Sequence, residues 1–413
     1  MMPEVGPDLG ATSTIWRTVR HAVVLLGLVV LAAPVAAAGD RASPAKTSGT
    51  VLALEHGKRG DTLVRLDRRT LAPTSSRLKL GGRTNFGWAF SPDGRRLAIG
   101  VLPIHGLRIV NVSRMKKIGR VWTPNIYISV LGWLAPRRIV GYAQDIGLFA
   151  VDPVSGKALP PPRIAGNIQA IRRAGNRLLI LSGWPRWTIG FARLSVVDPT
   201  GRLRTVLLRR IKAGILSGGE PENVEPGLAL DRSGRAFVVG GRDEPVAEVN
   251  LKTLAVTYHE LPKEATSAVG RTRRAIWVGD GRIAVSGTDV VRSGPPDSHD
   301  YLPVGLSIFD LRQRTIETVD AEARGVAFTA GTVLASGIGT GLRGYSTAGK
   351  LRYQLFAGEN VFTVATFDSR AWVGTVSVGP GPTPIRVIDV AAGTFREARR
   401  GVPWILHANF SAG

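Results

Sequence analysis

The feature that most constrains this chain is a unit repeated along it, best preserved over residues 86–117 as FGWAFSPDGRRLAIGVLPIHGLRIVNVSRMKK. An apolar run ends in the turn Pro92-Asp93-Gly94, a second run follows, and after a gap a third run ends at Asn111. Short apolar runs bounded by Gly, Pro, Asn and Asp are strands of an antiparallel meander. No long 3.6-residue periodicity competes with that pattern, so the chain reads as all-β.

A short polar residue closes the third run of each unit: Asp67, Asn111, Asp152, Asp198, Asn250, Asp310, Ser346 and Asp389, about 36 to 60 residues apart. The side-chain oxygen of such a residue accepts a backbone N–H two positions on and shapes a tight hairpin. Structural work, not catalysis, is therefore expected of these residues. Two further runs precede most of the markers and a fourth follows, which makes four strands per unit. Four-stranded meanders repeated along a chain close radially into a β-propeller, an arrangement that leaves few exposed edges. The first unit starts near Thr50 without an innermost strand, whereas residues 403–410 (PWILHANF) have no unit of their own. Placing that segment inside the first sheet closes the ring. The expectation is a β-propeller of eight four-stranded blades, with seven as the alternative, its first blade closed by the C-terminal strand.

Residues 1–38 read as a signal peptide: Arg17 and Arg20 precede an apolar run at 23–33, and Ala36-x-Ala38 is a small-residue cleavage pattern. Residues 39–48 read as a linker and 49–413 as a single propeller domain, since no break in composition divides them. The apolar run is short for a membrane span, so none is expected in the mature chain. Export to the cell envelope or medium follows. With no cysteine in 413 residues, disulfides, thiolate chemistry and lipidated cysteine are excluded. The net charge of +23 would draw the protein to anionic polymers or surfaces. Its basic residues are mostly single or paired in turns, as at Arg95-Arg96 and Arg137-Arg138, and do not form a stripe with interleaved aromatics. Nucleic acid is accordingly disfavoured as a partner.

The turn Ser91-Pro92-Asp93-Gly94, followed by Arg95-Arg96-Leu97-Ala98, resembles the blade signature of the WD40-like and YVTN-type β-propellers of exported bacterial proteins, and residues 231–235 (DRSGR) are a degenerate form of it. The resemblance spans residues 50–410 as a repeat pattern. It implies a binding platform, although some members of that superfamily are lactonases, peptidases or quinone-dependent dehydrogenases.

Two motif-like strings fail in context. Gly339-x-Gly341-x-x-Gly344 leads into another hairpin, not the helix whose N-terminus a dinucleotide loop requires. Residues 344–348 (GYSTA) lack the second glycine of a nucleophile elbow. Three insertions that break the repeat are better candidates for recognition, because loops on a rigid ring are where binding residues concentrate. The first carries Trp184, Arg186 and Trp187, a cation between two aromatics suited to stacking on sugar rings or a protein partner. The second carries Glu222 and Glu225, which with Asp243 could supply oxygen ligands to Ca²⁺ or pair with surface arginines. The third carries His299, Asp300 and Tyr301. The resulting expectation is a monomeric, non-catalytic exported propeller without a cofactor, binding an envelope protein or anionic glycan (anionic polysaccharide) through its rim loops. The alternative is a Ca²⁺-assisted hydrolase or lactonase with its site in the central channel.

Overall fold

The computed structural model describes residues 51–407, apart from connections at 56–58, 68–71, 103–105, 123–127, 144–146, 175–176, 185–187, 216–222, 265, 295–297, 368, 377–383 and 401–403. The proposed leader and linker lie outside the described residues, as do Arg186, Trp187 and Glu222. All described residues belong to one compact unit.

Every element described is a β-strand, and the strands form consecutive antiparallel meanders. Their first strands pack against one another around an axis: Arg83–Phe90 on Ile128–Ala135, Gly227–Leu230 on Gly270–Gly279, and Gly325–Thr329 on Asn360–Phe367. This is the arrangement of a β-propeller. The first sheet is completed by Trp404–His407, antiparallel to Val51–Glu55 in the register Val51 to His407 and Leu54 to Trp404.

The burial pattern follows from that arrangement. Second strands are covered on both faces by neighbouring sheets, so Arg177–Ser182 (RLLILS) and Thr332–Gly337 (TVLASG) are almost continuously buried. The outer strand Pro73–Lys79 instead alternates exposed and half-buried residues. Apolar clusters lie between sheets: Leu107, Ile109, Trp133, Ile139 and Phe149 form one that joins two of them. Each large side chain so buried contributes about 1.5–3 kcal/mol. Gly141 makes room for the Phe149 ring, which would lie 2.2 Å from a Cβ at that position.

The turn markers do the structural work read from their spacing. Asn111 Oδ1 accepts the Arg114 N–H at 2.9 Å, Asp152 Oδ1 that of Val154 at 2.9 Å, Asn250 Oδ1 that of Lys252 at 2.9 Å and Asp310 Oδ1 that of Gln313 at 2.9 Å. In the Pro92-Asp93-Gly94 turn, Asp93 accepts from Ser91 Oγ and from the Arg95 N–H, and Gly94 supplies the φ of 68°.

The blade count differs from expectation. Six blades are discrete four-stranded sheets, at 51–79 with 404–407, 83–122, 128–159, 227–259, 325–355 and 360–400. The strands at 168–225 and 270–320 are instead one continuous ten-stranded sheet. Neither eight nor seven separate four-stranded blades are present. The cause is a three-residue strand, Asn223–Glu225, that the repeat pattern does not contain.

Candidate functional site

The strand Leu203–Ile215 is 13 residues long and outruns its meander. A bulge between Phe191 and Ala192 lets its far end continue against Ile189, Gly190 and Phe191. There Gly214 pairs with Val224 and Ile215 with Asn223. On its other side Asn223–Glu225 pairs in parallel with Gly270–Gly279, matching Val224 to Arg271 and Glu225 to Thr272. The short strand thus staples two meanders into the ten-stranded sheet. It also draws in a third element: Gln169 Nε2, on the innermost strand Ile168–Ala174, donates to the Val224 carbonyl at 2.8 Å.

This junction brings arginines of two inner strands together. Arg172 lies on Ile168–Ala174 and Arg274 on Gly270–Gly279. Removal from water lowers the pKa of Arg172. Removal from water, with the Arg172 cation beside it, lowers Arg274 to about 10, while Glu225 opposes the shift. Guanidinium this far above neutrality stays protonated. Both residues are half-buried, so two like charges are held side by side with reduced hydration, opposed at Arg274 by Glu225. Among the described residues neither Arg172 nor Arg274 forms an ion pair; Arg172 Nη1 donates only to the Ile171 carbonyl, at 3.2 Å.

Next to the junction is a paired network. Arg271, with a side chain 5% exposed, donates to Asp243 at 2.9 Å and to Glu244. Lys212 Nζ lies 3.7 Å from Asp243, and the Gly241 N–H reaches Glu244 at 3.3 Å. Burial raises the Glu244 pKa, Arg271 opposes that, and Asp243 adds to it. Gly240 and Gly241 are required here: a Cβ at Gly240 would fall 1.7 Å from the Glu244 carboxylate, and one at Gly241 2.2 Å from that of Asp243. Arg273 donates to Asp289 at 2.6 Å and to the Thr272 and Thr288 carbonyls. Burial lowers its pKa, and Asp289 opposes the shift. Arg242 reaches Glu264 at 2.6 Å, Ser307 at 2.9 Å and Thr318 at 2.6 Å, bracing the blade at 227–259 against the ten-stranded sheet.

The residues singled out from sequence fall around this junction but do not converge on one point. Asp243 serves Arg271 and Lys212, and Glu225 acts on Arg274, so two of the three candidate Ca²⁺ ligands face arginine; Glu222 lies outside the described residues. No group of three or more His, Asp or Glu that could hold a metal occurs among the described residues. Trp184 is half-buried: its indole lies against Gly190 with the Arg193 guanidinium 4.5 Å from the ring centre, as in a cation–π contact. His299, Asp300 and Tyr301 lie on His299–Pro303, which pairs with the end of Arg282–Arg292 to make a projecting β-arm. Tyr301 and Leu302 are about half exposed, at 53% and 48%. Trp184, Asp243 and the arm all follow second strands, which run antiparallel to the inner ones. All three therefore emerge at the same end of their meanders, the end that carries the Arg271 network.

Arg172, Arg271, Arg273 and Arg274 were not singled out. A signal for them exists in the sequence: Arg172-Arg173 and Arg273-Arg274 are adjacent arginines within apolar strands, not in turns. Successive strand residues point to opposite faces, so one member of each pair must point into the protein.

No protein-family model matches the chain, and no curated protein matches it by sequence. Solved structures do match by shape. The dihydro-heme d1 dehydrogenase NirN, in complex with DHE, is 12% identical with a TM-score of 0.60, covering 91% of this chain and 77% of that one. AztD from Citrobacter koseri is 11% identical with a TM-score of 0.55, covering 88% and 99%. BamB from Moraxella catarrhalis is 11% identical with a TM-score of 0.51, covering 80% and 89%. At these identities the likeness shows the propeller fold and nothing of activity.

Proposed function

We propose that this protein is an exported, non-catalytic binding propeller that takes an acidic glycan of the cell envelope at the end of the ring carrying the arginine junction. One observation carries the reading: the half-buried cations Arg172 and Arg274 are set beside each other on two inner strands with Glu225 opposing, a concentration of positive charge that an anionic ligand relieves. Carboxylate or phosphate groups match guanidinium geometry through paired N–H donors. The half-buried Trp184 and the arm bearing His299, Asp300 and Tyr301 stand at the same end and would extend the contact along a polymer. Binding is favoured over metal-assisted hydrolysis because Glu225 and Asp243 act on arginines. Export rests on the leader pattern of residues 1–38, and kinship with the WD40-like and YVTN-type propellers on the 91–98 turn.

The test is calorimetric titration with a uronate oligosaccharide at about 0.15 M salt, where long-range attraction is screened beyond roughly 8 Å. Saturable binding is expected, weakened at least about tenfold in Arg172→Gln/Arg274→Gln, the loss of one charge-assisted contact or more. Absence of saturation, or equal affinity in the double variant, would sink the reading. The exposed Tyr301 and Leu302 favour a protein partner as the second reading; capture of envelope proteins lost in Tyr301→Ala with glycan affinity unchanged would support it.

A further inference from the structure

A second cluster of arginines lies at the opposite end of the meanders. The turn from Ile189–Val197 into Leu203–Ile215, residues 198–202, borders a cavity of about 230 Å³ lined by Arg177, Val196, Asp198, Arg202 and Arg204. Arg177 begins the second strand and Arg204 the fourth, so this cavity sits at the far side of the sheet from Trp184. Three guanidinium groups meet one carboxylate there, and none of the three forms an ion pair among the described residues.

The cluster is built, not incidental. Arg177 Nη1 donates to the Leu251 carbonyl at 3.2 Å, and Arg204 donates to Lys252 at 2.8 Å and to Leu251 at 3.1 Å. Both side chains therefore reach across to the turn of the neighbouring blade and are fixed before any ligand arrives. Asp198 Oδ1 is occupied within its own turn by the Thr200 N–H, the Thr200 hydroxyl and the Arg202 N–H, at 2.9, 2.6 and 2.9 Å. A fourth cation stands alongside: Gly201, at φ 90°, packs so closely on Arg138 that a Cβ would be 3.1 Å from its guanidinium. Fixed guanidinium donors with unused N–H groups suit an oxyanion with several acceptors. The volume is below the roughly 300–1,000 Å³ of sites that enclose whole small molecules, and suits a small anionic head group.

We propose that this inter-blade cavity binds a phosphate group, independently of the glycan reading and at the opposite end of the ring. Arg177 and Arg204 form the preset walls, and Arg202, whose guanidinium makes no hydrogen bond to the fold among the described residues, closes on the ligand. The phosphate is either that of a soluble ester or that of a lipid head group, and the two share the chemistry recognised here.

The experiment is a titration of the purified protein with inorganic phosphate, with sodium chloride at matched ionic strength as control, followed by calorimetry. Saturable binding absent from the chloride series is expected, about tenfold weaker in Arg202→Gln, as for one charge-assisted contact. The Arg202-dependent component of that binding should persist in Arg172→Gln/Arg274→Gln, which separates this site from the glycan site. A response equal to chloride, or one unaltered by Arg202→Gln in a variant with wild-type thermal stability, overturns the proposal. Glycerol phosphate and vesicles containing phosphatidic acid then identify the source. Binding to either that Arg202→Gln reduces supports the site, and binding to neither overturns it.

Discussion

The blade at 83–122 and the ten-stranded sheet are built from the same meander yet differ in how far their polar side chains reach for partners. In the blade, polar side chains close turns: Ser91 and Asp93 shape one and Asn111 another, while Leu97, Ala98 and Ile99 fill the strand between them. In the ten-stranded sheet, Arg172, Arg271, Arg273 and Arg274 sit within the strands themselves, with two of them buried as residues. The side-chain acceptors of the first arrangement are met by donors a few residues away, with Arg65 adding bonds from another sheet to the Val112 and Ser113 carbonyls. The second needs acceptors from remote parts of the chain, such as Asp243, Glu244 and Asp289. A charged strand is tolerable only where the tertiary structure supplies counter-charge. At Arg172 and Arg274 the supply is partial, with Glu225 acting on Arg274, and an anionic ligand would add to it.

This contrast predicts a graded series. The largest effect belongs to the buried pair: Arg271→Ala leaves Glu244 buried without its cation and should cost about 3–5 kcal/mol in guanidinium denaturation. Replacing both partners by Arg271→Met/Glu244→Leu should cost much less, since no charge is then stranded. Equal losses in the two variants would break the contrast by showing that packing, not charge, is at stake. A smaller effect is expected at Asp152, in the discrete blade at 128–159. Burial would raise its carboxyl, but hydrogen bonds from Arg137, Val154 and Ser155 outweigh it and hold the pKa at about 2, below the ordinary 3.8. A carboxylate with a lowered folded-state value adds stability above its ordinary pKa and loses it as pH falls through the folded value. Asp152→Asn should therefore cost about 1–2 kcal/mol at neutral pH, and the difference from wild type should shrink between about pH 4 and pH 2. A pH-independent difference would mean that Asp152 acts by shape alone. The smallest effect is that of Asn111→Ala, about 0.5–1 kcal/mol, because its side-chain acceptor lies in an exposed turn where water replaces it. A loss as large as that at Arg271 would erase the distinction between turn and strand polarity.

Much of the architecture was legible because it is local. Meander strands, the Pro92-Asp93-Gly94 turn and the polar turn markers depend on residues within a few positions of each other, and Asn111, Asp152, Asn250 and Asp310 accept the hydrogen bonds their spacing implied. The candidate site was legible only in part. Glu225, Asp243 and Trp184 stand out in the sequence as departures from the repeat, and pairing with arginine is one of the two chemistries their composition offers, but which arginines the two carboxylates act on is not legible there. Counting repeats could not reveal whether two meanders remain separate sheets.

The sequence by itself determined an all-β repeat whose units close into a propeller, and the residues that shape its turns, because strand periodicity and turn chemistry are short-range. Only the tertiary structure decided that Asn223–Glu225 pairs in parallel with Gly270–Gly279, fusing strands into ten and setting Arg172 beside Arg274 from about 100 positions away in the chain. Parallel pairing between remote segments leaves no local pattern, since its partners are matched only once the intervening blade has folded between them.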